Sequence, residues 1–114
     1  MARKITAAEV PAALLEMWEK FRPLSMERLQ AIEQAVAGLR AGQVAPELVE
    51  RACGEAHKIA GGAGSFGFGE LSKSARRLEL LLESPPGAAD AGKIVAEADH
   101  LRRLMDESFT APAG

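Results

Sequence analysis

Apolar residues recur along this chain at spacings of three and four, the period of a helix that buries one stripe. Five such segments can be read. Val10, Leu14, Met17, Trp18 and Phe21 form the first stripe, and Leu29, Ile32, Val36 and Leu39 the second. Leu48, Ala52, Ala56, Ile59, Ala63 and Phe66 form the third. Phe68, Leu71, Ala75, Leu78 and Leu82 make the fourth, and Ile94, Ala98, Leu101 and Met105 the fifth. No stretch alternates with the period of two that a half-buried strand needs. The pattern predicts an all-α chain.

The breaks between stripes carry their own signals. Thr6-Ala7-Ala8-Glu9 has the form of a capping box with Ile5 and Val10 placed as a staple, but Pro11 moves the expected start of continuous helix to about that residue. Pro23 separates the first segment from the second, which is expected to run to about Ala41 with Gly42 as its terminator. Pro46 suits the first turn of the third helix, and Gly67 suits the turn after it. Ser84-Pro85-Pro86-Gly87 is a firm break, and Thr110 to Gly114 are expected to fray. Short connections force neighbouring helices to reverse, so the 114 residues are expected to form one antiparallel bundle domain over 1–114, without internal repeats.

Composition narrows the chemistry. With 14 basic and 16 acidic residues the net charge is −2, which supplies no global attraction to nucleic acid or to an acidic membrane. The single Cys53 excludes an internal disulfide and fits a reducing compartment. No apolar run reaches the length of a membrane span and the first residues lack a signal-peptide core, so a soluble intracellular protein is expected. Trp18 reads as a core anchor, because no basic and aromatic residues interleave around it as in a stacking platform. The mixed charges Glu27, Arg28, Glu33 and Arg40 on the second segment read as a solvated face. His57, His100 and Cys53 are too few for a metal cluster without outside ligands. Cys53 and His57 lack an orienting acid or oxyanion pocket beside them, and the glycine-rich run after His57 lacks the lysine and hydroxyl residue of a phosphate-binding loop. His100, among Asp99, Arg102 and Arg103, reads as a surface residue.

His57 itself lies off the apolar stripe, about 200° round the helix axis from Ile59, so its ring is expected to face solvent. Its lateral neighbours three and four residues away are Cys53, Gly54, Ala60 and Gly61, all small. Helical side chains lean toward the N-terminus, so Ala60 and Gly61 leave the ring bare where larger residues would cover it. A glycine inside a helix costs about 1 kcal/mol relative to alanine, and this helix carries Gly54, Gly61, Gly62 and Gly64. Either a neighbouring helix or a partner protein must approach closely there.

The string from His57 through Ile59, Ala60, Gly61 and Gly67 to Phe68, followed by Leu71 and the pair Leu78-Glu79, resembles the motif of histidine-containing phosphotransfer (HPt) domains. That family carries histidine, an apolar residue two on, usually lysine three on, glycine four on and another glycine ten on. The resemblance implies four bundle helices with an additional N-terminal helix packed across them and the histidine on the outer face. It implies that His57 accepts a phosphoryl group from a receiver-domain aspartate and passes it to another. The chain would then be a covalent phosphocarrier rather than an enzyme by itself, holding no cofactor or metal, with Mg²⁺ on the partner receiver domain. Receiver domains or a hybrid histidine kinase would be its partners, docking over Cys53, Gly54, Ala60, Gly61, Gly62 and Gly64, with Gly67 as a structural turn. Where the family usually has lysine this chain has Ala60, so the charge beside the phosphoryl group falls to Lys58, to Lys73 or Arg76 on the next helix, or to the partner. A bacterial cytoplasmic monomer is expected. A non-phosphorylated adaptor of the same fold, and the phosphoacceptor domain of a chemotaxis-type kinase, are the alternatives.

Overall fold

In the computed structural model, which describes residues 12–42, 45–65, 68–83 and 88–107, every regular element is a helix. The helices are α1 (Ala12–Ala41), α2 (Pro46–Ser65), α3 (Gly69–Glu83) and α4 (Ala88–Glu107). Each packs on its neighbour in sequence, and α4 closes the ring against α1. Connections of three or four residues leave no room for a crossover, so consecutive helices run antiparallel. One core cluster draws on all four: Leu29, Ile32 and Val36 from α1, Ile59 from α2, Leu78 from α3, and Ile94, Leu101 and Met105 from α4. No helix among the described residues is long and apolar enough to cross a membrane. Gly42 ends α1 as expected, with a φ of 71° and its amide donating to the Leu39 carbonyl at 3.1 Å.

The expected break at Pro23 is absent. Residues 12–41 form a single 30-residue helix with Pro23 inside it, so four helices stand where five segments were read, and the segment through Trp18 is the first part of α1 rather than a separate helix packed across the bundle. Proline in a helix interior costs about 3 kcal/mol through one lost amide donor and crowding of the preceding turn. Tertiary packing outweighs this. Trp18 is buried against Phe68, with ring centroids 4.4 Å apart, and against Phe21 at 5.4 Å. Burying an indole of roughly 200 Å² is worth up to about 5 kcal/mol. Arg22 adds a hydrogen bond from Nη2 to the Met105 carbonyl at 3.4 Å, tying the proline turn to the end of α4. At about 1.5 Å per residue α1 spans about 45 Å, whereas α2 spans about 30 Å, so the Trp18 end overhangs the other helices and covers the end of the core near Phe68.

The stripes hold elsewhere with two exceptions. Ala52, Ala56, Ile59 and Ala63 of α2 and Leu71, Ala75, Leu78 and Leu82 of α3 are all buried, but Leu48 and Met17 are exposed. The seam between α2 and α3 is made largely of alanine on the α2 side, which lets the backbones come close enough for the Ser72 hydroxyl to donate to the Ala60 carbonyl at 2.7 Å. The α1 to α2 contact is equally close at one point: a Cβ on Gly62 would overlap the Phe21 ring, whereas a Cβ on Gly61 would meet open space. Charges expected only to solvate a surface instead bridge helices. Arg102 of α4 grips Glu33 of α1 through both ends of its guanidinium, with Nε at 2.9 Å, and Arg28 of α1 lies 3.6 Å from Glu55 of α2. Glu97 of α4 accepts from the buried Ser74 hydroxyl at 2.7 Å and from Arg77 Nε at 2.9 Å, both on α3. Val10, the capping box at Thr6, Phe66, Gly67, the 84–87 break and the tail from Thr110 lie outside the described residues.

Burial disfavours ionisation of Glu97, but hydrogen bonds from Arg77 and Ser74, with the charges of Arg77 and His100, overcome it and hold the carboxyl below the ordinary glutamate range. A carboxyl whose folded value is depressed contributes stability above its unfolded value and loses it as pH falls through the folded one. Glu97→Gln is expected to lower stability near neutral pH by about 1 kcal/mol, discounted for the half-exposed arginine, and to lessen the loss of stability on acidification in urea titrations. Gly61→Ala is expected to raise stability by about 0.5–1 kcal/mol through helix propensity, while Gly62→Ala yields no gain because the Phe21 ring must move; thermal melts of the two variants compare them directly.

Candidate functional site

His57 stands on the outer face of α2 with its side chain 68% exposed, where its position off the apolar stripe predicts it. Gly54 and Gly61 beside it leave open space, since a Cβ built on either meets nothing within 4 Å. Cys53 is half-buried, and its thiol donates to the Glu79 backbone carbonyl at 3.5 Å. Ala60 is half-buried with its carbonyl taken by Ser72, and Gly64 lies against that same serine's hydroxyl at 3.4 Å from a built Cβ. Gly62, expected in the docking patch, has a neighbour within the chain. Its missing side chain is accounted for by Phe21 within the chain.

The residue that completes the site comes from the next helix. Glu79 of α3 sits in the seam with its side chain 8% exposed and presents Oε2 to His57 Nδ1 at 2.9 Å. An ionised carboxylate only accepts hydrogen bonds, so this contact assigns the ring proton to Nδ1 and leaves the lone pair on Nε2. Among the described residues no hydrogen bond is made to Nε2, and the side chain as a whole is 68% exposed. The other carboxylate oxygen, Oε1, accepts from Arg76 Nη1 at 2.8 Å. Arg76, Glu79 and His57 thus form one chain of hydrogen bonds ending at a solvent-facing imidazole ring. The arrangement resembles an acid orienting a histidine for nucleophilic work.

The three cations considered for the charge beside the ring are separated by their partners. Lys58 turns to Glu55 on its own helix at 3.4 Å, and Lys73 lies 3.9 Å from Glu70 on its own. Only Arg76 is joined to His57, through Glu79. Sequence reasoning named the Leu78-Glu79 pair as part of a motif but assigned Glu79 no role, because 22 residues separate it from His57 and only the helix pairing brings them together. A signal existed: a glutamate directly following a core leucine sits at the edge of the buried stripe, where a charged residue needs a partner. Among the described residues no three of His, Cys, Asp or Glu gather as metal donors.

Comparison with known proteins gives two findings. The sequence model of the Hpt domain family matches residues 16–111. Protein RcaC of Microchaete diplosiphon is 35% identical over 71 residues, which are 62% of this chain and 11% of that protein, so the chain spans about a tenth of its relative's length. No solved structure matches.

Cys53, one turn from His57, sits where its thiolate is disfavoured. Burial pushes its thiol up, and the carboxylates of Glu79, Glu83 and Glu50 push it further, so it stays protonated near neutral pH. Alkylation by iodoacetamide near neutral pH is expected to run several-fold slower than for the unfolded chain. Equal rates for folded and urea-unfolded protein would show an unprotected thiol.

Proposed function

Because the chain belongs to the Hpt domain family, which performs phosphotransfer in two-component signalling, we propose that it is a phosphorelay carrier in which His57 is the phosphoryl acceptor. The observation that carries this reading is the 2.9 Å contact between His57 Nδ1 and Glu79 on a ring whose side chain is 68% exposed; in the neutral ring a carboxylate at Nδ1 favours the tautomer with its proton there and its lone pair on Nε2. Nε2 attacks the phosphoryl group of a receiver-domain aspartyl phosphate, and a second receiver aspartate later takes the group from it. A neutral imidazole is itself nucleophilic, so the attack needs no dedicated base. The remaining task is alignment and neutralisation of charge, on which phosphoryl transfer chiefly depends. The partner receiver domain supplies the acidic pocket and Mg²⁺, and this chain supplies a rigid helix with a bare ring.

The surface round the ring suits such docking. Gly54 and Gly61 keep it low on both sides, so a partner's active site can reach Nε2 without meeting side chains. Arg76 is tied to the ring through Glu79, while Lys58, next to His57 in sequence, is paired with Glu55 and is more than half exposed, so it can turn to the acidic pocket of a receiver. In this reading the protein acts as a cytoplasmic monomer with receiver domains, a hybrid histidine kinase, or both.

The test is incubation of the protein with a receiver domain bearing labelled phosphate. Wild type is expected to take up label that is lost in acid and kept in alkali, while His57→Gln takes up none. Failure of wild type to accept label from several receivers or from a kinase, while still binding one of them, would overturn the carrier and favour an adaptor. Label accepted only from an ATP-bound kinase domain would instead favour a chemotaxis-type phosphoacceptor.

A further inference from the structure

Glu79 presents a problem of charge. Its carboxylate is nearly buried between α2 and α3, and among the described residues its side-chain partners are the His57 ring and the Arg76 guanidinium. Neutral imidazole offers an N–H but no charge, so the full positive charge hydrogen-bonded to this carboxylate is that of Arg76. The neighbouring Cys53 thiol donates to the Glu79 backbone carbonyl, not to the carboxylate. Lys58 and Lys73 are engaged by Glu55 and Glu70. Ala60, one turn along α2 from His57, ends at Cβ and brings no charge. Without Arg76 an uncompensated carboxylate would stand directly behind the ring that a dianionic phosphoryl group must approach.

We propose that Arg76 is the positioning residue of this phosphoryl acceptor: it holds the Glu79 carboxylate so that Oε2 keeps the ring proton on Nδ1, and it cancels the charge that would repel the donor. The proposal rests on the phosphotransfer reading of His57. In the transfer, the Nε2 lone pair forms the P–N bond as the P–O bond to the donor aspartate breaks, and those electrons leave with the aspartate carboxylate. The Nδ1 proton stays on the ring, hydrogen-bonded to Glu79, so the ring becomes an imidazolium. The donor's two negative charges end as one on the released carboxylate and one net on the phosphorylated ring. Glu79 stabilises the imidazolium as it forms, and Arg76 keeps the resting site neutral before the donor arrives. The charge that the family usually places on the histidine's own helix is here delivered from α3, through the acid rather than beside the ring.

Two readouts on the intact chain test this. The first is the ¹⁵N spectrum of the His57 ring at a pH where it is neutral, which reports the tautomer and needs no phosphodonor. Wild type is expected to hold the proton on Nδ1, Arg76→Ala to shift population toward the Nε2–H tautomer, and Arg76→Lys to restore part of the wild-type signal. The second is phosphorylation by phosphoramidate, a small donor that releases ammonia and needs no partner protein. Arg76→Ala is expected to slow it about fivefold, the scale of one half-exposed ion pair, with Arg76→Lys recovering most of the rate. Arg76 is more than half exposed, so the fold is expected to survive both changes, and a circular dichroism melt checks this. An unmoved ring spectrum and an unchanged rate in Arg76→Ala would overturn the proposal even if wild type accepts label from a receiver. A shifted spectrum in a protein that no donor phosphorylates would uphold the positioning contact and overturn the phosphotransfer reading instead.

Discussion

The close seam between α2 and α3 is the constraint on which the site depends. Ala52, Ala56, Ile59 and Ala63 line the buried side of α2, three of the four short, and the two helices approach until Ser72 reaches the Ala60 backbone and Glu79 reaches His57. A wider seam filled by leucines would bury more apolar area, but it would carry the carboxylate out of reach of the imidazole. The hydrogen bond between His57 and Glu79 is therefore a product of core packing as much as of polar chemistry. It spans a solvent-facing ring and a nearly buried acid, so the ring's orientation is set from inside the protein.

The same logic governs the glycines of α2. Gly62 answers to the interior, where the Phe21 ring of α1 occupies the space of a side chain, while Gly61 next to it faces open solvent. One residue of rotation on a helix, about 100°, separates a packing requirement from an access requirement. The family's glycine falls at Gly61, four residues after the histidine, and that is the position where nothing inside the protein asks for it. Its cost in helix propensity is consistent with a surface kept low for a partner.

Pro23 illustrates how local preference yields to packing. The dipeptide signal for a helix boundary is sound as local chemistry, and it would hold for an isolated peptide. Within the bundle, continuity of α1 carries Trp18 and Phe21 onto Phe68 and Gly62, and the burial so obtained exceeds the proline penalty. The first part of α1, with Trp18 packed on Phe68, stands where a separate helix packed across the bundle was expected.

Helical class, the four core stripes of the bundle, the terminator at Gly42 and the solvent-facing position of His57 were all legible in the sequence, because each depends on period, on the φ of one glycine, or on angles within one helix. The HPt motif was legible for the same reason, as most of it lies on one helix. What the tertiary structure decided was everything that couples two helices: the continuity of α1, the pairing of Arg28, Glu33 and Arg77 across seams, and the linking of Arg76 and Glu79 to His57. Such couplings depend on helix separation and rotation, set by the summed volumes of facing side chains, and no spacing within one segment encodes them. Lys58, adjacent to the histidine in sequence, is held by Glu55, while Arg76, 19 positions away, shares a carboxylate with the ring. Periodicity placed His57 on an exposed helix face, and packing chose its neighbours.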